Sequence, residues 1–482
     1  MRRLGAFLAA GGLLAGCAHL ECLSHGGDSW RAVRTPHFTL QTDLDSETAR
    51  AQALKLEATR AALRWFFELG DAGDGIRVVM VKDSDALGEF TWAEGFVGSS
   101  IHPDELLVVT SFSPGNRRGS AEVAAHELAH RYAAEAFPVA LPSWLNEGLA
   151  GYLESVLILD DRRATLGLTG RLFGYFTLGT YANPLKLHEL WDFTPDGARE
   201  GNERDKGYAS AALYVHYLAN HEPARWAAFL KSLREGRPPR TSFEAIFPPA
   251  EQARLDEQVG DYADSRRYNT TDLLLSYDGR VLSEAELPDW WVHLLRAELW
   301  RHADDGRDRA RDRDEVLVAR GMLGAQTPWE LAWWLGSYDG NLLTLARGFP
   351  DEFEAQLGLG RAGGAGAAEH LEKALRLRPS SPSANEALAE LELASGDIAG
   401  ADEHLETARR AAPWDEWVME LSAVVASKRG RCGDVERWLD RARSLTGETP
   451  TSADVSKFES MRADLLARCD AARSAPAASP SP

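Results

Sequence analysis

Two histidines four residues apart on an alanine-rich segment place the strongest constraint on what this chain can fold into. The segment AHELAHRYAA occupies residues 125–134, where alanine and leucine alone would favour a helix. On a helix, positions i and i+4 lie on one face, so His126 and His130 can direct ring nitrogens at one point. Glu127 lies about 100° around the helix axis, where its carboxylate can reach that point without occupying it. This pattern predicts a metal site that needs a third ligand.

A glutamate in the next predicted helix supplies that ligand. Catalytic zinc sites use three protein ligands and keep the fourth tetrahedral position for water. One known pattern has a further histidine six residues after His130, but Ala136 stands there. Glu147 instead lies within the apolar segment WLNEGLAGYLE, where a buried carboxylate without a partner would be costly. We therefore expect His126, His130 and Glu147 to bind Zn²⁺; the alternative is that Glu147 is an ordinary surface residue.

The two segments together resemble the gluzincins, zinc peptidases that use two histidines and a downstream glutamate. HELAH followed by LPSWLNEGLAGYLE is most similar to the bacterial peptidase-MA-like family, and the resemblance covers residues 30–235. It implies a small mixed sheet over the two metal-binding helices. It also implies an edge strand along the cleft, at residues 105–112, which could pair with an extended peptide substrate. The expected reaction is peptide hydrolysis by zinc-activated water, with Glu127 as general base and Tyr208 as hydrogen-bond donor.

Other residues are candidates for the hydrogen-bond donor, and the sequence departs at two places from the motifs of related zinc peptidases. Weaker donor candidates, each more typical of packing or of the surface, are Tyr214, Tyr217, His188 and His216. The Gly-x-Met-Glu-Asn motif of aminopeptidase relatives is missing from GEFTWAEGFVGSS at residues 88–100, which favours an endopeptidase. Gly151 stands where thermolysin-like enzymes have an acidic partner for a histidine ligand. Another group must therefore orient the histidines, and Glu154 and Asn146 are candidates.

The N-terminal segment MRRLGAFLAAGGLLAGC has the layout of an export signal: two arginines, a short apolar run and small residues. Its end, LAGC, resembles a bacterial lipoprotein cleavage site. We therefore expect Cys17 to become the lipidated N-terminus of an extracytoplasmic protein anchored to a membrane. The alternative is a plain export signal in which Cys17 is incidental.

The remaining cysteines and the net charge bear on the compartment and on partners. Disulfides persist outside the cytoplasm, and Cys432 and Cys469 could pair there. No CxxC or Cys/His spacing suggests a structural zinc finger. The formal net charge of -20 repels phosphate backbones, so nucleic acid is not an expected partner.

A spacing of 34 residues recurs towards the C-terminus and resembles tetratricopeptide repeats, in which helix pairs stack into a solenoid. The spacing relates Leu371, Leu405 and Leu439, and it also relates Gly396 to Gly430 at the position of an interhelix turn. Two units are predicted at residues 382–415 and 416–449, preceded by a degenerate one at 348–381. The alternative is a generic helical bundle. Repeats of this kind are expected to hold a protein partner or substrate.

A chain of 482 residues is expected to form two or three domains, and its hydrophobic fraction of 44% is that of a globular protein. The predicted fold is α+β: a small mixed sheet over a helical zinc-peptidase core, then an all-α region ending in a short tetratricopeptide-like solenoid. The predicted segments are a lipoprotein signal peptide (1–17), a linker (18–30), a gluzincin-like metallopeptidase domain (31–250), a helical connecting region (251–347), the repeats (348–470) and a disordered tail (471–482).

Three functions agree with these features. The leading hypothesis is a membrane-tethered zinc metallopeptidase whose repeats hold a protein partner or substrate. The second is an adaptor lipoprotein built around the repeats, with a structural or catalytically silent zinc site. Glu127 argues against the second, because a purely structural site needs no base beside its ligands. The third is zinc-dependent hydrolysis of a non-peptide amide, since the motif specifies the attack and not the substrate.

Overall fold

The computed structural model describes residues 20–71, 75–87, 90, 97–99, 106–112, 119–160, 162–167, 183–194, 201–265, 268–303, 309–445 and 452–474. Cys17 and the rest of the predicted signal peptide lie outside these ranges, as does most of the segment at residues 88–100. Within the described ranges, no helix is both long enough and apolar enough to cross a bilayer. The fold is a mixture of helices and strands in which helices predominate, as the predicted α+β class requires.

Two sheets are present in the described part of the chain. Their strands are β1 (Trp30–Arg34), β2 (Phe38–Thr42), β3 (Ile76–Val81), β4 (Val97–Ser99), β5 (Leu106–Ser111), β6 (Leu157–Ile158), β7 (Arg163–Leu166), β8 (Thr271–Leu274) and β9 (Ser283–Leu287). The larger sheet has the order β4-β5-β3-β2-β1-β9, and the smaller one has the order β6-β7-β8. In the larger sheet β2, β3 and β5 run parallel and the other pairings are antiparallel, so the predicted mixed sheet is confirmed.

Strand β5 lies inside the larger sheet. It pairs with β3 on one side and with β4 on the other, where Val108 lies opposite Val97 and Leu107 opposite Gly98. The prediction of an edge strand at residues 105–112 is therefore wrong. The apolar run in β5 predicts a strand, but no periodic pattern predicts the three-residue strand β4 that pairs with its outer edge.

Alternate residues of β3 face two different hydrophobic layers, as the period of a strand requires. Val78 packs in a core with α1 (Ser46–Phe66) and α2 (Gly119–Ala136). Val79 packs in a second core with α9 (Asp289–Ala303), on the other face. In the described part of the chain, the helices between α2 and α9 are α3 (Ser143–Leu153), α4 (Leu187–Trp191), α5 (Gly201–His221), α6 (Pro223–Arg234), α7 (Pro239–Ile246) and α8 (Pro249–Ser265).

Two strands interrupt the region that the sequence predicts to be helical after residue 250. β9 pairs with β1 in the larger sheet, and β8 pairs with β7 in the smaller one. The prediction of an all-α region from residue 251 onwards is wrong at these strands. The sequence of β9, SEAEL, has no apolar alternation; backbone hydrogen bonds to the free edge of β1 form this strand instead.

Part of the segment predicted as a linker is packed against the core. Leu20 and Cys22 are buried in the layer that contains α9, and Trp30 opens β1 in the same layer. A short 3₁₀ turn, Leu23–His25, lies between them.

The C-terminal part of the chain consists of helices that follow one another in pairs. They are α10 (Arg309–Leu323), α11 (Trp329–Asp339), α12 (Leu342–Ala346), α13 (Phe353–Arg361), α14 (Ala367–Leu377), α15 (Pro382–Ser395), α16 (Ile398–Ala411), α17 (Glu416–Lys428), α18 (Cys432–Leu445) and α19 (Ser452–Ser474). The pairs α15–α16 and α17–α18 fall within the two predicted 34-residue units. Gly396 and Gly430 lie in the left-handed conformation between the paired helices, as predicted for turns.

Two features tie the C-terminal helices together and to the rest of the chain. A disulfide joins Cys432 to Cys469, with 5.7 Å between their Cα atoms, which confirms that these cysteines can pair. The buried Arg441 of α18 donates to the carbonyl oxygens of Ala134 (2.8 Å) and Val139 (3.1 Å) at the end of α2. Helix α19 continues to Ser474, four residues into the segment predicted as a disordered tail.

Candidate metal centre

Helix α2 packs one apolar face into the core, and the two histidines lie at the margin of that face. Leu128 and Ala129 are fully buried, whereas His126, Glu127 and His130 are half-buried at the margin of that face. The helix ends at Ala136, before Pro138, and the chain turns directly into α3.

Helix α3 brings Glu147 to the histidines by packing closely against α5. A Cβ atom on Gly148 would lie 2.7 Å from the carbonyl oxygen of Ala211 and 2.8 Å from a methyl of Val215. Such distances are far inside van der Waals contact, so the helices can approach this closely only at a glycine. Gly148 therefore permits the close packing of α3 against α5 that places Glu147.

The three predicted ligands converge. Oε2 of Glu147 lies 3.4 Å from Nε2 of His126 and 3.5 Å from Nε2 of His130. The two imidazole rings are nearly perpendicular, with their centroids 4.9 Å apart. One ligand atom from each residue lies within 4.8 Å of the others, so the group could hold a metal ion.

These separations fit the edges of a tetrahedron around zinc. Two nitrogen or oxygen ligands at about 2.0–2.2 Å from one ion, at a tetrahedral angle, are about 3.3–3.6 Å apart. The observed distances from Glu147 to His126 and His130 fall in that interval. Two imidazoles and one carboxylate are also a donor set that zinc accepts in catalytic sites. The residues present therefore fit the ion that the sequence predicts, although other divalent metals use the same donors.

A second carboxylate orients one of the rings. Oε2 of Glu154, just after the end of α3, lies 2.9 Å from Nδ1 of His126. This contact leaves Nε2 of His126 free to bind a metal. Of the two partners considered from the sequence, Glu154 makes this contact, and Asn146 lines the adjoining cavity. Among the described residues, the buried Nδ1 of His130 has no hydrogen-bond partner.

The electrostatics of the cluster favour a positive charge between the rings and the carboxylates. Burial lowers the pKa of His126, but hydrogen bonds to Glu147 and Glu154 outweigh burial and raise this pKa to about 10. Burial likewise raises the pKa of Glu147, but the hydrogen bonds from both histidines outweigh it and lower this pKa to about 2. Glu147 is therefore ionised at neutral pH.

Glu127 has the opposite character. Burial raises its pKa above the ordinary value, and the neighbouring imidazoles of His126 and His130 only partly oppose this effect. A carboxylate with a raised pKa is a stronger proton acceptor than one in water, which suits a general base.

A cavity of about 670 Å³ opens beside the cluster. Its lining includes His130 and Asn146, the aromatic residues Trp191 and Phe193, and Arg443 of α18. The C-terminal helices thus contribute directly to the space next to the candidate metal ligands.

Tyr208 lies on α5, where its half-buried ring packs edge to face against Phe193 with 6.0 Å between centroids. Phe193 lines the cavity that His130 also lines, so Tyr208 contacts a residue of the cavity lining. Its role as a donor stays a prediction.

The weaker donor candidates have other surroundings. The hydroxyl of Tyr214 donates to Asp256 (2.6 Å), and the ring of Tyr217 stacks on His221. His216 is buried, with Nε2 at 2.7 Å from the carbonyl oxygen of Gly167. His188 is exposed on α4.

A second cluster could also hold a metal ion: Cys22, His25 and His293. Sequence reasoning missed it. Cys22 and His25 are only three residues apart, but this Cys-x-x-His spacing is not one of the zinc-finger spacings and was not expected to bind a metal. His293 follows Cys22 by 271 residues, so its part in the cluster has no local signal.

No protein-family model matches the chain, and no curated protein matches it.

Proposed function

We propose that the protein is a zinc metallopeptidase, anchored by lipid to a bacterial membrane outside the cytoplasm, that hydrolyses peptide bonds within its substrates. The observation that carries the proposal is the convergence of His126, His130 and Glu147, with Glu127 adjacent to the first ligand. A structural metal site would not need the half-buried, proton-accepting Glu127 beside its ligands.

The proposed mechanism assigns separate metal-binding and proton-transfer roles to residues of α2 and α3. His126, His130 and Glu147 would hold the ion, and Glu154 would keep the ring of His126 in its binding orientation. When bound, zinc supplies a Lewis acid that polarises a carbonyl group and makes water more acidic. Glu127 accepts the proton of the attacking water at its carboxylate and returns a proton to the leaving nitrogen.

Tyr208 is proposed as the donor to the developing oxyanion of the scissile carbonyl. Its support is its place on α5, the helix that packs against α3 at Gly148, and its contact with the cavity wall at Phe193. Removal of its hydroxyl in Tyr208→Phe should lower kcat by about 10²–10³ if it serves this role.

The cavity beside His130 is the proposed substrate site. Because α18 forms one of its walls, we infer that the C-terminal helices, a short tetratricopeptide-like solenoid in this proposal, help to hold a protein substrate or partner.

The proposed location depends on Cys17, which lies outside the described residues. The disulfide between Cys432 and Cys469 supports an extracytoplasmic compartment, because disulfides persist in oxidising surroundings. A Cys17→Ser variant should be exported but released from the membrane fraction.

The test compares the wild-type protein with Glu127→Gln. Both are purified without added metal, analysed for zinc, and incubated with a peptide library and with extracytoplasmic proteins whose new N-termini are sequenced. We expect equal zinc content, and new termini only with the wild type. If both bind zinc and neither produces new termini, the peptidase proposal is wrong and the adaptor function is favoured. Release of amines from non-peptide amides, without new termini, would instead identify an amidase.

A further inference from the structure

The segment that precedes β1 carries a buried thiol outside the candidate catalytic site. Cys22 is fully buried, and it is free, whereas the other described cysteines, Cys432 and Cys469, are joined to each other. It lies directly before the 3₁₀ turn Leu23–His25. The turn is held to helix α9 by the backbone N–H of Ser24, which donates to the carboxylate of Asp289 at 2.9 Å.

Two histidines face this thiol. Sγ of Cys22 lies 3.5 Å from Nε2 of the buried His293 on α9. The ring of the exposed His25 meets the ring of His293 edge to face, with 5.1 Å between centroids. One ligand atom from each of the three residues lies within 4.8 Å of the others.

The distance between sulfur and nitrogen fits a shared metal ion. A thiolate at about 2.3 Å and an imidazole nitrogen at about 2.0–2.1 Å from zinc, at a tetrahedral angle, are about 3.5–3.6 Å apart. The separation of 3.5 Å between Cys22 and His293 agrees with this edge. Thiolate and imidazole are the donors that select zinc rather than magnesium or calcium.

The other nitrogen of His293 has the partner that a metal-bound imidazole usually has. Its Nδ1 lies 2.6 Å from Oε2 of Glu315 on α10, and the same carboxylate accepts from Nε of Arg296 at 2.7 Å. Glu315 therefore fixes the ring of His293 with Nε2 directed at Cys22. A hydrogen bond between a buried thiol and an imidazole would explain the contact of Cys22 with His293. It would not explain why a ligand atom of His25 lies beside both residues.

We propose that Cys22, His25 and His293 bind a zinc ion, with the fourth tetrahedral position taken by water. The ion would join the N-terminal segment to α9, the helix that covers one face of the larger sheet. It would thus fasten the chain to the folded domain a few residues after Cys17, the proposed lipid attachment point. This inference is independent of the proposed peptidase activity.

Cobalt substitution tests the proposal, because thiolate bound to Co²⁺ gives a strong near-ultraviolet charge-transfer band. The candidate catalytic ligands His126, His130 and Glu147 contain no sulfur, and Cys432 and Cys469 form a disulfide, so among the described residues this band reports on Cys22. We expect the full-length protein to develop the band on addition of Co²⁺ and to lose it when Zn²⁺ is added. Glu147→Gln, which disables only the other site, should keep the band.

Two variants give the decisive comparison. Cys22→Ala should abolish the band, and His25→Asn should weaken Co²⁺ binding at this site by at least tenfold. Because His25 is exposed, its replacement should leave folding intact even if Cys22→Ala does not fold. Absence of the band from the wild-type protein at saturating Co²⁺ would overturn the proposal and leave a hydrogen-bonded cluster. Unchanged binding in His25→Asn would exclude the three-ligand site.

Discussion

Replacement of Glu154 tests whether the cluster on α2 and α3 is built for a metal. The carboxylate lies 2.9 Å from Nδ1 of His126 and is largely shielded from water. Outer partners of this kind typically contribute 10–100-fold to metal affinity, which corresponds to about 1.4–2.8 kcal/mol. Glu154→Gln keeps the shape and an acceptor oxygen but removes the charge, so we expect about tenfold weaker zinc binding. Glu154→Ala removes both and should approach the hundredfold limit.

The affinity is measured by competition with a chromophoric chelator, in a His25→Asn background that weakens the second proposed zinc site and should leave folding intact. Glu135→Gln is the matched control, because Glu135 lies on the same helix as the histidines but binds Arg64 through both carboxylate oxygens. This control should bind zinc as tightly as the parent protein. If Glu154→Ala also binds zinc within twofold of the parent, Glu154 does not orient His126 for a metal.

Three further predictions concern the packing of Gly148, the ionisation of Glu392 on α15 and the contact of Arg441 with the end of α2. Gly148→Ala should lower the free energy of unfolding by about 1–3 kcal/mol and weaken zinc binding, because the added Cβ would overlap the carbonyl of Ala211. The control is Gly260→Ala on α8, where a Cβ would meet open space. This control should be neutral or stabilising in the same thermal melts. Burial and the charges of Asp397 and Glu403 raise the pKa of Glu392 to about 7, so the wild type loses stability as pH rises from 4.5 through 7. Glu392→Gln should therefore be as stable as the wild type near pH 4 and more stable at pH 8. The expected difference at pH 8 is about 1 kcal/mol, because this half-buried carboxylate is partly screened by solvent. Equal melting temperatures of the two proteins at pH 8 would contradict the raised pKa of Glu392. Arg441→Met should remove the hydrogen bonds that join α18 to the end of α2. Limited proteolysis should then cleave faster between the domain that contains α2 and the C-terminal helices. An unchanged cleavage rate would show that Arg441 does not hold α18 to α2.

The sequence was most informative where a functional pattern is local. The histidines of α2 are related by helical periodicity, and Glu147 follows on the next helix, so the ligand set could be predicted without knowing the tertiary fold. The choice between Glu154 and Asn146 could not be made, because it depends on how α3 is rotated against α2. That rotation follows from packing such as the contact of Gly148 with α5.

Long-range features were beyond sequence reasoning. Strand β9 pairs with β1 although its own residues have no strand-like alternation, because the free edge of β1 supplies the hydrogen bonds. The cluster of Cys22 with His293 joins residues 271 positions apart, and only the packing of α9 against the sheet brings them together. The 34-residue period, by contrast, predicted the helix pairs and the glycine turns at Gly396 and Gly430 from repetition alone.

The central claim is that one cation lies between side chains of α2 and α3, and anomalous diffraction at the zinc absorption edge tests it most directly. Crystals of the zinc-loaded protein should show a peak about 2.0–2.2 Å from Nε2 of His126, from Nε2 of His130 and from a carboxylate oxygen of Glu147. The peak should persist in Glu127→Gln, because Glu127 is not a ligand. Zinc-loaded crystals with no peak between these three residues would contradict the account.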